Sequence, residues 1–405
     1  MPLIVHNTRT HKREPFVPLR PGHVGMYVCG PTVYDYSHIG HARSYVVYDT
    51  MKRYFRSTGH RVVHVQNFTD VEERISLRAK ERGLTPLEYA DLYIQHFFED
   101  MDALHVLRAD RYPRVSEHIG EMLTMAQTLL KKDAAYTRDC SADTCDVYFD
   151  VTSAPHFGEL LGQPLKEVAV AGGDDKPRER RHTLDFAIWK AKGDLGITWA
   201  SPWGEGRPGW HIQCAAMATK YLGETFDLHG GGLDLIFPHH ESETAVAEST
   251  TGKRYCNYFL HNGFVTLKDE KMSKSTGNFV TVRSLREKHD PEALRLFLLA
   301  APYGDTLRYS EDDVKAAEAR LGRWRDGLRA LKEQATTLVA PAHDAYCGPF
   351  RAALEDNFDF PKALSVVEEA ATAPAKTPLE AAGRLAFLKD AGKTLGLLWS
   401  LTGEK

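Results

Sequence analysis

Residues 24–67 constrain the fold more than any other stretch of this chain. Val24 to Cys29 is an apolar run, broken by Gly30-Pro31. From His41 to Thr58 the apolar positions Tyr45, Val46, Tyr48, Met51, Tyr54 and Phe55 recur at helical spacing, Gly59 stops the pattern, and Arg61 to Asn67 reads as a second strand. Strand, helix and strand of these lengths make a βαβ unit with parallel strands. Ligands of such sheets bind beyond the carboxyl ends of the strands, where Cys29 and Thr69 belong. The linker ends in His38-Ile39-Gly40-His41, at a helix N-terminus whose unpaired N–H groups and partial positive charge attract phosphate. The stretch therefore points to nucleotide chemistry beside a metal or thiol site.

The rest of the chain extends this pattern. Residues 1–21 read as a basic, proline-punctuated extended lead-in. Leu87 to Leu104 and Ser116 to Lys132 read as long helices. Residues 134–182 mix short β-like pieces with Gly, Asp and the charged run DDKPRERRH, as an insertion into a sheet domain would. Asp185 to Lys190 is a strand or short helix. Pro208-Gly209 opens a helix at Trp210, with Cys214 one turn on. Thr225 to His229 is a buried strand that Gly230-Gly231-Gly232 ends, and Pro238 opens a helix carrying His239, His240, Glu241 and Glu243. Asn257 to Leu267 reads as a strand pair, followed by the loop Lys271 to Ser275. Beyond Arg283 the chain is helical: Val314, Ala317, Leu321, Trp324, Leu328 and Leu331 form a packing stripe. Helical stretches near 361–372 and 378–400 complete a bundle.

With 405 residues the chain is long enough for two or three domains. No apolar run approaches the ~18 residues of a membrane helix. The N-terminus lacks the apolar core of a signal peptide, which predicts a cytoplasmic protein with no membrane partner. Six cysteines in this length make no disulfide framework, and the expectation is reduced thiols, Cys140 and Cys145 being an incidental loop pair. A net charge of −4 leaves any nucleic-acid contact to local basic patches.

Two constellations stand out. Cys29 and Cys214 each lie at an element boundary near the expected crevice, and His239 and Glu243, four apart, share a helix face. Two thiolates, an imidazole and a carboxylate suit zinc. Spacing alone, without a CxxC, favours the plainer reading of two small core residues and a surface contact. The second is His38 and His41, three apart around Gly40, with Lys271 and Lys274 flanking Ser273 downstream. Imidazoles and paired lysines can stabilise charge on a polyphosphate. Solvated histidines at a helix start are the plainer reading.

HIGH followed by KMSKS, in that order, is the motif pair of the class I aminoacyl-tRNA synthetases. The blocks MYVCGPTVYDYSHIGHAR, FTDVEERI, SPWGEGRPGWHIQC, HGGGLDLIFPHHESE and KMSKSTGNF resemble the cysteine-specific branch of that family, from about Val24 to the C-terminal helices. The resemblance implies an α/β fold: a Rossmann-like parallel-sheet catalytic domain with an insertion, then a C-terminal helical bundle. The implied divisions are 1–133 and 201–265 for the catalytic halves, 134–200 for the insertion, 266–309 for the KMSKS loop and stem-contact region, and 310–405 for the bundle. It also implies one Zn²⁺ per chain on Cys29, Cys214, His239 and Glu243, and a cysteine pocket lined by Thr69, Trp210 and His229. ATP, with Mg²⁺, would meet Gly30, His38, Gly40, His41, Gly231, Asp234, Lys271 and Lys274. Of these, His38, His41, Lys271 and Lys274 would be catalytic.

The implied reaction has two steps. Cysteine carboxylate attacks the α-phosphate of ATP, giving cysteinyl-adenylate and pyrophosphate. A hydroxyl of the terminal adenosine of tRNA(Cys) then attacks the adenylate carbonyl. The chain stops soon after the bundle, where family members continue into an anticodon-reading domain. Mycothiol ligase, which shares that omission, joins cysteine to an amino-sugar inositol, so the alternative acceptor is a small amine. The wording of residues 31–43 resembles the tRNA branch. A non-catalytic paralogue is disfavoured, since the zinc and phosphate residues are present. The arginines of 314–331 and the run 174–182 are the expected tRNA contacts, and a monomer is expected.

Overall fold

The computed structural model describes residues 2–138, 140–141, 143–164, 167, 180–193, 196–267, 270–271 and 280–403. The opening stretch forms the strand His23–Val28, the helix Ile39–Ser57 and the strand Arg61–Gln66, the two strands parallel with Val28 opposite Gln66. The strands Phe226–Gly232 and Cys256–Asn262 complete a four-stranded parallel sheet. Its order is 256–262, 226–232, 23–28, 61–66. The chain leaves strand 23–28 toward one side and returns much later on the other. The crevice of a doubly wound sheet opens at such a switch, here between strands 23–28 and 226–232.

Strand periodicity then decides which side chains face which layer. Successive residues alternate faces. Val24, Met26 and Val28 join the core beneath helix 39–57. Tyr27 and Cys29 join the opposite core, with Ile212, Cys214 and Val246 from the helices Trp210–Leu222 and Glu241–Thr251. His229 is opposite Tyr27 in register and shares its face, whereas Gly230 lies against the Tyr48 ring of helix 39–57. Cys29 and Cys214 therefore meet because of strand parity.

The strands Ala135–Arg138, Asp146–Phe149, Phe186–Ala191 and Gly206–Pro208 form a separate antiparallel sheet. Beyond residue 290 run the helices Pro291–Leu298, Glu311–Ala335, Asp344–Glu355, Phe360–Thr372 and Pro378–Leu395. All six residues of the 314–331 stripe are buried. They belong to the same continuous core as Val24 and Met26.

Several sequence expectations need correction. Residues 1–21 are no simple lead-in: Ile4–Asn7 and Lys12–Pro15 pair as a hairpin. Asn7 fastens it to the sheet edge, donating to the Asn257 carbonyl (2.9 Å) and accepting from the Phe259 N–H (2.9 Å). Gly230 to Gly232 do not end their strand; all three pair with Leu260 to Asn262. The pair read at 257–267 is split between sheets, since Val265–Leu267 pairs instead with Glu270–Lys271 and Leu307–Tyr309. The helix Glu73–Glu81 was not foreseen. Cys140 and Cys145 are joined in a disulfide. The hairpin sets Arg138 opposite Asp146 and so brings the two thiols together, which their spacing alone does not reveal. Cys29, Cys214, Cys256 and Cys347 are free.

Candidate active site

A crevice of about 450 Å³ opens at the switch point. Its walls include Cys29, Gly30, Thr69, Trp210, Cys214 and His239 at one end. At the other are His38, Gly40, His41, Gly231 and Asp234. The two constellations read from the sequence thus share one cavity. Lys271 is described as the last residue of strand 270–271. Lys274 and residues 174–179 lie outside the described residues.

Cys29 follows directly on strand 23–28, and Cys214 sits one turn into the helix that starts at Trp210. Their sulfurs are 3.8 Å apart. Ligand atoms of Cys29, Cys214, His239 and Glu243 all lie within 4.8 Å of one another, and all four residues are buried. Both Glu243 carboxylate oxygens are buried without a hydrogen-bond partner. His229 Nε2 comes within 2.5 Å of Glu243 Oε1, yet neither atom makes a hydrogen bond of acceptable geometry. Close approach without alignment leaves the carboxylate unsatisfied.

The electrostatics are those of a site built for a cation. Burial pushes the Glu243 carboxyl well above its ordinary range. Burial also raises the Cys29 thiol, while a hydrogen bond from Cys29 holds Cys214 well below the usual thiol range. For His239 burial acts downward, but Cys214 and Glu243 outweigh it and raise the imidazole. Unpaired buried anions cost several kcal/mol each. A soft divalent cation at the centre of two sulfurs, a nitrogen and a carboxylate oxygen removes that cost, so the donor set fits zinc.

Trp210 and neighbours that the sequence did not single out, His211, His261 and Asn67 among them, orient these groups. His211 Nδ1 contacts His239 Nδ1 at 3.0 Å, leaving His239 Nε2 on the cluster side, 3.8 Å from Glu243. Trp210 stacks on the His239 ring at 4.4 Å while remaining 44% exposed at the cavity wall. A buried chain of contacts runs from Thr8 Oγ1 to His261 Nδ1 (2.7 Å) and from His261 Nε2 to His240 Nδ1 (2.7 Å). It ends with His240 Nε2 3.8 Å from Glu243. Asn67 accepts from the Gly30 N–H (2.9 Å) and donates to Thr69 Oγ1 (3.3 Å), so it ties the cysteine end to the turn. The sequence signal for Asn67 was its place just past a strand end, where side chains overhang the crevice.

At the nucleotide end, His38 caps helix 39–57. The His41 N–H donates to His38 Nδ1 and the His38 N–H donates to His41 Nδ1, each at 3.3 Å. The rings stack 3.7 Å apart. Because each Nδ1 accepts, each imidazole keeps Nε2–H as its donor. Gly40 is required here: a Cβ would lie 2.9 Å from the His38 ring. At Gly30 a Cβ would lie 1.5 Å from the Asn67 carbonyl, and at Gly231 2.8 Å from the His240 ring. Tyr48 holds the glycine strand, accepting from the Gly231 N–H (2.7 Å) and donating to the Leu260 carbonyl (2.6 Å).

The arginines of helix 311–335, expected to meet tRNA, make ion pairs inside the chain. Arg320 and Arg323 converge on Glu368, at 2.7 and 3.3 Å, and Arg325 pairs with Asp290 and Glu292. Their charge is committed within the bundle.

The family model of class I (C) tRNA synthetase catalytic domains matches residues 15–319. A cysteine–tRNA ligase of Alkalilimnicola ehrlichii is 44% identical over 401 residues, covering 98% of this chain and 86% of that protein. One of Pelotomaculum thermopropionicum is 45% identical over 386 residues, covering 92% and 79%. The methionyl-tRNA synthetase of Mycobacterium tuberculosis, solved with methionyl-adenylate, superposes with a TM-score of 0.65 at 15% identity, covering 94% of this chain and 91% of that one. The ternary complex of Agrobacterium radiobacter K84 agnB2 LeuRS-tRNA-LeuAMS gives 0.69 at 12% identity, covering 96% and 86%. At those identities the structural likeness speaks for the fold.

Proposed function

The chain belongs to the class I tRNA synthetases that act on cysteine, and on that premise we propose how its residues divide the work. It is a cysteine–tRNA ligase: it uses ATP to activate L-cysteine and transfers the cysteinyl group to tRNA(Cys). The small-amine acceptor is not favoured, since these relatives carry the tRNA ligase name.

Cys29, Cys214, His239 and Glu243 would hold a zinc ion at the cysteine end of the crevice. The observation that carries this is their clustering around the unsatisfied carboxylate of Glu243. When bound, the ion supplies a soft Lewis acid that takes up a substrate thiolate far better than a hydroxyl. Thr69 and Trp210 line the surrounding pocket, and His229 backs it from the buried side, beside Glu243. Selection against serine then needs no editing site, because the wrong substrate lacks the one strong bond.

His38 and His41 serve the nucleotide. Reciprocal capping fixes both imidazole rings at the helix N-terminus before ATP arrives, so little reorganisation is needed as charge builds on the α-phosphate. Gly30, Gly40 and Gly231 let the nucleotide approach the backbone, and Asp234 lies beside it. Lys271 and Lys274 are proposed to neutralise the triphosphate, with Mg²⁺. Cysteine carboxylate attacks in line and pyrophosphate leaves. The ribose hydroxyl of the tRNA end then attacks the adenylate carbonyl and releases AMP.

The test is cysteine-dependent ATP–pyrophosphate exchange, followed by transfer of labelled cysteine to tRNA and to glucosaminyl-inositol. Exchange with transfer to tRNA alone is expected. Transfer to the sugar alone would make the small-amine reading correct, and absence of exchange would overturn both.

A further inference from the structure

The Cys140–Cys145 disulfide lies outside the crevice, yet its loop is wired to it. It closes the turn between strands 135–138 and 146–149. Inside the loop, the Ser141 N–H donates to the Thr144 carbonyl (2.8 Å). Cys140 is exposed and Cys145 half-exposed, so a small molecule can reach the bond.

The loop docks on the segment that leads to Trp210. The Cys145 N–H donates to the Trp203 carbonyl (2.9 Å). Gly204, at φ +87°, packs so closely that a Cβ would lie 2.2 Å from the Asp143 carbonyl. From there the chain runs through strand 206–208, which pairs with strand 186–191. Gly209 follows, its N–H donating to the Ile188 carbonyl (2.9 Å) and its Cα set too tightly against Ala187 for any side chain. The next residue is Trp210, stacked on His239. Six residues thus separate the docked Trp203 from Trp210 at the cavity wall, and they are held at Gly204, along strand 206–208 and at Gly209.

We propose that Cys140–Cys145 is a thiol–disulfide exchange site for small thiols and disulfides, the chemical class of the enzyme's own amino acid, and that its redox state tunes cysteine binding through Trp203–Trp210. The exchange balances with no further reagent. A thiolate RS⁻ attacks one sulfur of the bond, and the S–S electron pair leaves on the other, which takes a proton from solvent. A second RS⁻ attacks the R-group sulfur of the mixed disulfide, giving RSSR and the second protein thiol. In sum, protein disulfide and two RSH become protein dithiol and RSSR; oxidised glutathione or cystine reverses it. Reduction opens the six-residue ring, frees the loop backbone and loosens the surface on which Trp203 and Gly204 rest. The effect on cysteine binding rests on the function proposed above; the exchange itself does not.

Two measurements test it. The whole protein is equilibrated with glutathione at a series of reduced-to-oxidised ratios, acid-quenched and alkylated, and Cys140 and Cys145 are read by peptide mass spectrometry. Both are expected to pass together from blocked to alkylated across the series. A pair that stays in one state at every ratio would overturn the proposal. Pyrophosphate exchange is then compared for protein pre-equilibrated at the two extremes and desalted. Reduction is expected to raise the KM for cysteine about threefold with kcat nearly constant, and the C140S/C145S double variant to show the raised KM in both states. Equal KM in the two states of the wild type, with the thiols exchanging, would overturn the coupling. Absence of pyrophosphate exchange in all samples, with the thiols exchanging, would instead sink the assigned enzymatic function.

Discussion

Cys214 illustrates how one residue carries two constraints at once. Its position in the first turns of helix 210–222 is local, but its partner Cys29 comes from a strand 185 residues earlier. Replacing it by serine keeps the volume and removes the soft donor. Cys214→Ser is expected to lower bound zinc, measured by metal analysis, by at least about tenfold and to raise the KM for cysteine by a similar factor. Full zinc occupancy with an unchanged KM would refute the metal assignment. Gly40 sets two effects against each other. Alanine there gains up to about 1 kcal/mol of helix propensity, but its Cβ would press the His38 ring at 2.9 Å. Gly40→Ala should therefore unfold at nearly the wild-type temperature while exchange activity falls about 10- to 100-fold through displaced imidazoles. A large loss of melting temperature would mean the glycine serves the fold instead.

At the scale of elements, helix 39–57 is clamped near its middle. Asp49, fully buried, takes Arg295 at 2.5 Å and Arg53 at 2.9 Å, and the Leu107 N–H at 2.9 Å. Arg295 also reaches the carbonyls of Leu395 and Leu104 at 2.8 and 3.1 Å, so one guanidinium joins the histidine-bearing helix to the end of helix 378–395. Burial alone would raise the Asp49 carboxyl, but the two arginines outweigh it and hold it below the ordinary value. A depressed carboxyl stabilises the fold above the unfolded value of about 3.9, and that contribution is lost as pH falls through the folded one. Asp49→Asn is expected to cost about 3–5 kcal/mol at neutral pH by stranding two buried arginines. In denaturant titrations the deficit should shrink only below about pH 4. A deficit that already fades at pH 6 would mean another group carries it. On helix 311–335 the expectation is milder. Arg320→Ala breaks a partly exposed pair with Glu368 and should cost no more than about 1 kcal/mol. If it weakens tRNA charging while sparing pyrophosphate exchange, the arginine contacts tRNA despite that pair.

For the whole molecule, the parallel sheet divides two cores. One joins helix 39–57 to every long helix of the C-terminal region, from Val24 through Trp324 to Leu398. The other joins the sheet's opposite face to the antiparallel sheet. A chain ending at Ser310 would expose the faces of helices 39–57 and 291–298 that the bundle covers. It is expected to aggregate, whereas the full chain should unfold without an early transition of the bundle by itself, followed by calorimetry. A truncated chain that stays monomeric and binds ATP would show that the bundle is dispensable for the core.

The sequence by itself determined the first βαβ unit, the helical stripe at 314–331 and the pairing of HIGH with its glycine, because these are local patterns of period and capping. It also contained all four proposed ligands, yet spacing could not tell Cys29 and Cys214 from two small core residues. Strand parity in the parallel sheet decided that, by turning Cys29 toward helix 210–222 and His229 toward Glu243. Tertiary structure likewise decided the Cys140–Cys145 bond, which hairpin register creates. It decided too that Arg320, Arg323 and Arg325 meet carboxylates from other helices. In each case the deciding contact joins residues whose separation along the chain carries no periodic signal, so only the folded backbone could bring them together.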